Sequence, residues 1–168
     1  MISPVLNRRR WKLHAHGQSI VVKYGIRERF VHPLMKAYLW ALYLPDYPSA
    51  SIEIRIGDKY KPDVIAFDGK PAVYEATPKP LFWGEAGCTG KDKIHSLVRR
   101  FPDTHFVMSK WDTGLKSYVE LVSEALDSVS VKRTAPFDLI SFPESSKVCV
   151  DTDGNITITF EDVERVRL

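Results

Sequence analysis

Cysteine is scarce in this chain of 168 residues. The two present, Cys88 and Cys149, lie in no CxxC or other metal-ligand spacing. A disulfide scaffold and a thiolate zinc site are excluded, and a cytoplasmic protein with free thiols is the simplest reading. Long apolar runs are missing too. The longest mostly apolar stretch, residues 34–44, is about half the ~20 residues that a membrane-spanning helix needs. The three arginines at positions 8–10 lead into Trp11, Lys12, Leu13 and His14 rather than an apolar segment, so no signal peptide is expected. Neither sign of charge dominates. Lys and Arg number 24 against 21 Asp and Glu, a net +3. That balance permits nucleic-acid binding without arguing for it, because dedicated non-specific binders are usually more basic. No Walker loop, Rossmann fingerprint, Gly-x-Ser-x-Gly elbow or zinc signature occurs.

What is there is ordinary globular material. Hydrophobic residues make up 44% and charged residues 27%, which excludes disordered, collagenous and low-complexity classes. The length suits one domain over residues 1–168. Charge is unevenly spread. The first forty residues carry eight bases, Arg8, Arg9, Arg10, Lys12, Lys23, Arg27, Arg29 and Lys36, against the single acid Glu28. The C-terminal stretch is acidic, with Asp151, Asp153, Glu161, Asp162 and Glu164. Such runs are commonly no more than solvated faces.

Periodicity gives the elements. Residues 18–24 read as a strand from their β-branched content. Pro33 suits a first helical turn, and Leu34, Met35, Tyr38, Leu39, Ala41 and Leu42 follow at helical spacing until Pro45. The helix is apolar nearly all round, so a buried position is expected. Residues 51–56 alternate strictly, as a strand with one wet face does. Residues 64–67 form a continuous apolar strand, Asp68-Gly69 a hairpin turn and residues 72–76 its return. Residues 81–86 make a further extended piece. A helix begins at Thr89, with Asp92 completing a weak capping box, and buries Ile94, Leu97, Val98 and Phe101. Residues 104–108 are a central strand. Asp112 or Thr113 caps another helix that turns Leu115, Tyr118, Val119, Val122 and Leu126 inward. Residues 147–150 and 156–160 close as a hairpin about Asp153-Gly154. The order implies an α/β domain with a mixed sheet flanked by helices.

One constellation carries chemistry. Asp63 follows Pro62 where the chain enters an apolar strand, and Glu75 and Glu85 recur at the ends of the next extended pieces. Carboxylates from neighbouring strands can converge at one sheet edge, where such hard oxygen ligands suit Mg²⁺ completed by water and a substrate phosphate. A bound ion of this kind polarises a phosphoryl oxygen and lowers the pKa of its water, and a nearby lysine stabilises the charge that develops. Each feature also has a plainer reading. Pro-Asp before a strand is a common turn pair, and a glutamate at a strand end is commonly solvated. His14 and His16 alternate as ligands on a strand could, and Trp83 and Trp111 could stack bases or simply pack.

Lys61-Pro62-Asp63, the apolar strand, the acidic strand ending Glu85-Ala86-Gly87 and the Lys-rich helix after it resemble the PD-(D/E)xK nuclease-like superfamily. Over roughly its full length the chain is similar to the YaeQ-like proteins within it. The resemblance implies a restriction-endonuclease-like core with a C-terminal hairpin and Mg²⁺- or Mn²⁺-dependent nuclease activity on nucleic acid. It makes Asp63 the first metal carboxylate and Glu85 or Glu75 the second, with Glu85 preferred. The superfamily lysine two residues on is absent, since Gly87 and Thr77 stand there. Lys91 or Lys93 from the following helix takes that role for Glu85, and Lys79 would for Glu75. Glu28 is a candidate third carboxylate. The alternative is a catalytically inactive nuclease fold that binds nucleic acid or a protein partner; no membrane association is expected.

Overall fold

Phe82–Ala86, a five-residue strand buried along its whole length, has sheet on both sides and a helical layer over each face. The computed structural model describes residues 1–69, 79–87 and 89–168. Its strands are β1 (Arg10–Ala15), β2 (Gln18–Lys23), β3 (Ser51–Ile52), β4 (Val64–Ala66), β5 (Phe82–Ala86), β6 (His105–Trp111), β7 (Phe137–Phe142) and β8 (Glu164–Arg167). The helices among the described residues are α1 (Val31–Tyr43), α2 (Lys91–Arg100) and α3 (Lys116–Asp127). β3 to β8 form one sheet in that order, and β1 and β2 make a separate antiparallel hairpin. β5, β6 and β7 are mutually parallel, while the other neighbours pair antiparallel. The fold is the mixed α/β architecture that the element order implied.

Alternation along each strand assigns two cores. Ile65, Trp83, Phe106, Met108, Phe137 and Leu139 point to one face, where α2 and α3 cover them with Ile94, Leu97, Val98, Tyr118 and Val122. Both helices lie on this face because they are the crossovers of β5–α2–β6 and β6–α3–β7. Val64, Ala66, Phe82, Val107, Ile140 and Phe142 point the other way, onto α1. Every residue of α1 from Pro33 to Tyr43 is buried. Its far side is capped by Trp11, Leu13 and Val22 of the hairpin. This explains a helix with almost no polar face, since it is sandwiched between two sheets. Each fully buried large apolar side chain here contributes about 1.5–3 kcal/mol.

The segment 151–156 covers the exposed edge of β1. His14 N donates to Gly154 O at 2.9 Å, and Ile156 N donates to His14 O at 2.8 Å. Gly154 is required at this contact. Its φ is +87°, and a Cβ there would meet the Lys12 carbonyl oxygen at 2.5 Å.

Several expected elements differ. The strand expected over 51–56 stops at Ile52, because Glu53 takes φ +55° and its N–H turns to Asp63 O at 2.9 Å. Residues 156–160 make no strand with residues 147–150. A 3₁₀ turn spans Glu144–Val148, and the expected C-terminal hairpin is reduced to a bridge between Val150 and Ile156 flanked by the bonds Asp151 N to Asn155 O and Thr157 N to Cys149 O, each 2.9 Å. The edge strand is instead β8, which pairs with β7. Gly90, not Thr89, caps α2 and makes no side-chain bond. Leu115, not Asp112 or Thr113, precedes α3. β4 is paired on both sides, with β3 and with β5; the expected return strand 72–76 lies outside the described residues. Among the described residues no helix is long and apolar enough to cross a membrane.

Candidate functional site

The pairing of β4 with β5 sets the geometry. Val64 lies opposite Gly84 and Ile65 opposite Trp83. One step further along this register stands Asp63 against Glu85. Directly opposed residues of an antiparallel pair share a face, here that of Ile65 and Trp83 beneath α2. The backbone departs from regular pairing at this point. Asp63 N donates to Gly84 O at 3.2 Å, and Ala86 N donates to Asp63 Oδ2 at 2.8 Å. The carboxylate therefore stands in for a main-chain acceptor and pins the start of β4 to the end of β5.

Glu85 is 6% exposed. Its Oε1 accepts from Trp83 Nε1 at 2.8 Å and lies 2.8 Å from Lys93 Nζ. Burial pushes its carboxyl above the usual range against the hydrogen bond from Lys93, and the charge of Asp63 adds to the rise. Lys93 comes from the first turn of α2, where a cation works against the helix dipole. Glu85 and the Tyr60 ring, whose centroid is 5.0 Å from Nζ, hold it there.

A second lysine approaches Asp63 from α1. Lys36 is 5% exposed. Its Nζ lies 2.7 Å from Glu53 Oε1, 3.4 Å from Glu28 Oε1 and 3.7 Å from Asp63 Oδ1. Burial works against its charge, yet the hydrogen bond to Glu53 and the charges of Asp63, Glu53 and Glu28 raise its pKa. Glu28 is tied further by His32 Nδ1 at 2.6 Å and by Gly25 N at 3.1 Å. Burial opposes ionisation of Glu28 as well, but the bonds from His32 and Gly25 and the charge of Lys36 lower its pKa overall. The two acids Asp63 and Glu85 are thus flanked by a lysine on each side, Lys36 by Asp63 and Lys93 by Glu85, with Glu28 and Glu53 beyond Lys36.

Of the lysines weighed from the sequence, Lys93 reaches Glu85. Lys91 instead pairs with Glu124 on α3 at 2.9 Å, and Lys79 is exposed without an ion pair to any described residue. Glu75 lies outside the described residues. Glu28 does not complete a three-carboxylate set, because the Lys36 ammonium bonds both it and Asp63. Among the described residues no group of three His, Cys, Asp or Glu could hold a metal ion. Asp63 and Glu85 remain as a pair, which fits Mg²⁺, an ion commonly held by one or two carboxylates plus waters and phosphate. Among the described residues, the hydrogen bonds to Glu85 converge on Oε1, and Asp63 Oδ1 has only the 3.7 Å contact with Lys36. Each carboxylate therefore keeps an oxygen for a further ligand.

The histidines at 14 and 16 form no site together. His14 Nδ1 bonds Ser19 Oγ at 2.8 Å, and His16 Nε2 bonds Ala41 O at 3.1 Å. Trp83 is fully buried and serves Glu85; Trp111 Nε1 donates to Glu144 at 2.7 Å. Lys36 and Glu53 were not singled out from the sequence. The available signal was a lone lysine within the apolar run 34–44.

The same architecture occurs in two solved structures. A YaeQ protein from Pseudomonas syringae superposes with a TM-score of 0.57 at 12% identity, covering 94% of this chain and 90% of that one. A YaeQ protein from Xanthomonas axonopodis pv. citri gives 0.55 at 12% identity, covering 83% and 75%. The chain has a YaeQ-like fold. No family model and no curated protein matches the sequence. Within the YaeQ-like fold the carboxylates stand at the C-terminal end of β5, the end of parallel strands where open α/β sheets bind ligands.

A second ionisable cluster occupies the opposite end of the parallel strands. Asp138 of β7 is fully buried and accepts from Tyr43 Oη at 2.7 Å and from Arg167 Nε at 2.8 Å, and lies 2.8 Å from His105 Nε2. Burial opposes its charge, but the bonds from His105, Arg167 and Tyr43 hold its carboxyl well below the usual range. This cluster ties α1, β6, β7 and β8 together.

Proposed function

We propose that the protein is a divalent-cation-dependent phosphodiesterase of the PD-(D/E)xK type acting on nucleic acid. The observation that carries this reading is the meeting of Asp63, Glu85 and Lys93 at one sheet edge, with the lysine supplied by α2 because Gly87 stands where the strand would carry it. Asp63 and Glu85 would hold Mg²⁺ or Mn²⁺. When bound, such an ion supplies a polarised phosphoryl oxygen and a water of lowered pKa. Lys93 orients the Glu85 carboxylate and places an ammonium beside it. From there it can donate to a phosphoryl oxygen as negative charge accumulates, which accelerates the step only in so far as the bond strengthens in the transition state. Trp83 donates to Glu85 Oε1 and fixes its rotamer, and Lys36 places an ammonium 3.7 Å from Asp63 Oδ1.

The test is cleavage of plasmid and single-stranded DNA and of RNA with Mg²⁺ or Mn²⁺. Asp63→Asn retains a hydrogen-bond acceptor for Ala86 N while removing the charge. Cleavage that needs the cation and disappears in Asp63→Asn supports the reading. Cation-independent cleavage, or equal activity in Asp63→Asn, would falsify it.

A further inference from the structure

We infer that the outer face of the β1–β2 hairpin is a contact surface for the sugar-phosphate backbone of nucleic acid. The hairpin register places Arg10 beside Lys23, Lys12 beside Val21 and His14 beside Ser19, all on the face away from α1. Arg8 lies just ahead of β1. A groove of about 370 Å³ runs along it, lined by Arg8, Arg10, Lys12, His14, Val21 and Asp153 among others. Arg8, Arg10, Lys12 and Lys23 are exposed, and none forms an ion pair with any described residue. One acid, Asp153, lines the groove. The opposite face of the hairpin, with Trp11, Leu13 and Val22, is committed to the core. The charge is therefore left for a partner.

Three features select the partner. Alternate residues of one strand stand about 6.7 Å apart, so Arg10 and Lys12 stand in line on β1 with Lys23 beside Arg10 on β2, a set of cations suited to an evenly charged polymer. A two-stranded β-ribbon fits the major groove of a duplex. A lipid surface would need an apolar face to insert, and this one offers Val21, 41% exposed, and the half-buried Val5 among its charges. The open end of the hairpin is tied by hydrogen bonds to the segment that carries Glu28. Tyr24 N donates to Arg9 O at 2.8 Å, Arg9 Nη1 donates to Gly25 O at 3.3 Å, and Gly25 N donates to Glu28, which bonds Lys36 beside Asp63. The inference extends the reading of the carboxylate site, since it names how nucleic acid is held there, but it is tested on binding without cleavage.

The experiment measures binding of fluorescein-labelled duplex and single-stranded DNA to the full chain in EDTA over a series of salt concentrations. Arg10→Gln/Lys12→Gln/Lys23→Gln should bind at least about tenfold more weakly at 0.1 M salt. Its log–log salt slope on duplex should be shallower by about 2.7, three contacts at about 0.9 each. Arg55→Gln/Lys116→Gln/Lys132→Gln removes the same charge from other exposed positions and should keep most of the affinity. If the triple hairpin variant does not fold, each single substitution should still lower the slope by about 0.9. Unchanged binding, equal loss in the control, no DNA binding by the wild type, or loss only of binding to phosphatidylserine vesicles overturns the inference. Because EDTA removes divalent cations, none of these outcomes bears on cleavage at Asp63 and Glu85.

Discussion

Lys93 Nζ lies 2.8 Å from Glu85 Oε1, and this contact joins the first turn of α2 to the end of the strand that precedes it. The geometry makes sense of a strand that ends Glu85-Ala86-Gly87. Gly87 adopts φ +103°, a backbone that a lysine side chain would strain, and the turn it makes sends the chain into α2. The cation beside Glu85 comes instead from Lys93 in the first turn of that helix.

Lys93→Met should lower cleavage by about 10²–10³-fold, the cost of deleting one donor aimed at developing charge. Lys91→Met should change it little, because Lys91 is engaged with Glu124 in an exposed pair. Single-turnover rates for both variants decide between them. Equal losses would remove Lys93 from the assigned role.

Cation binding has its own readout in the absence of cleavage. An ion that binds only the folded chain stabilises it by about 2.7 kcal/mol at a hundred times its Kd. Mg²⁺ or Mn²⁺ should therefore raise the Tm of the wild type, and the shift should vanish in Glu85→Gln and in Asp63→Asn. Glu124→Gln, on α3, should retain it. A shift that survives in both carboxylate variants places the ion elsewhere.

The apolar elements were legible because they bury in the pattern their periodicity states. The stripe Ile94, Leu97, Val98 and Phe101 is buried, and so is the continuous run Val64-Ile65-Ala66. What the sequence concealed were polar residues inside apolar segments. Lys36 sits in a buried helix, and Asp138 in the fully buried strand β7, which has no alternation to mark it. Both are lone charges in apolar runs, and both draw their partners from elements distant in sequence, such as Glu53 and Arg167. The Asp63–Glu85 pairing was readable as two acids near strand ends. The choice of Lys93 over Lys91 was not, since it depends on the angle at which α2 leaves β5.

Asp138 should dominate the acid limb of stability. Its carboxyl titrates below the usual range when folded, so its contribution is complete above the unfolded value of about 3.9 and is lost as pH falls through the folded value. Asp138→Asn should destabilise by about 3 kcal/mol at neutral pH, since it leaves the buried His105 and the Arg167 guanidinium without their anion. Its stability should also fall less steeply than that of the wild type below about pH 4. Urea titrations at several pH values measure both. The cation-induced Tm shift should persist, because this cluster lies at the other end of the sheet from Asp63 and Glu85.

Lys36 is in competition with any cation at Asp63. Its ammonium balances Glu28, Glu53 and Asp63, so a divalent ion near Asp63 feels that positive charge as repulsion. Removing it acts in two directions. Lys36→Met keeps the length and packing of a buried stem but leaves three carboxylates facing one another, at a cost of about 3 kcal/mol in the absence of metal. The same substitution removes the repulsion and frees Glu28 and Glu53 as additional oxygen ligands. Mg²⁺ or Mn²⁺ should therefore raise the Tm of Lys36→Met by more than that of the wild type and recover part of the lost stability. Thermal unfolding with and without the cation measures both effects on one sample. Equal cation-induced shifts in the two proteins would mean that the Lys36 ammonium is electrostatically separate from the carboxylate pair.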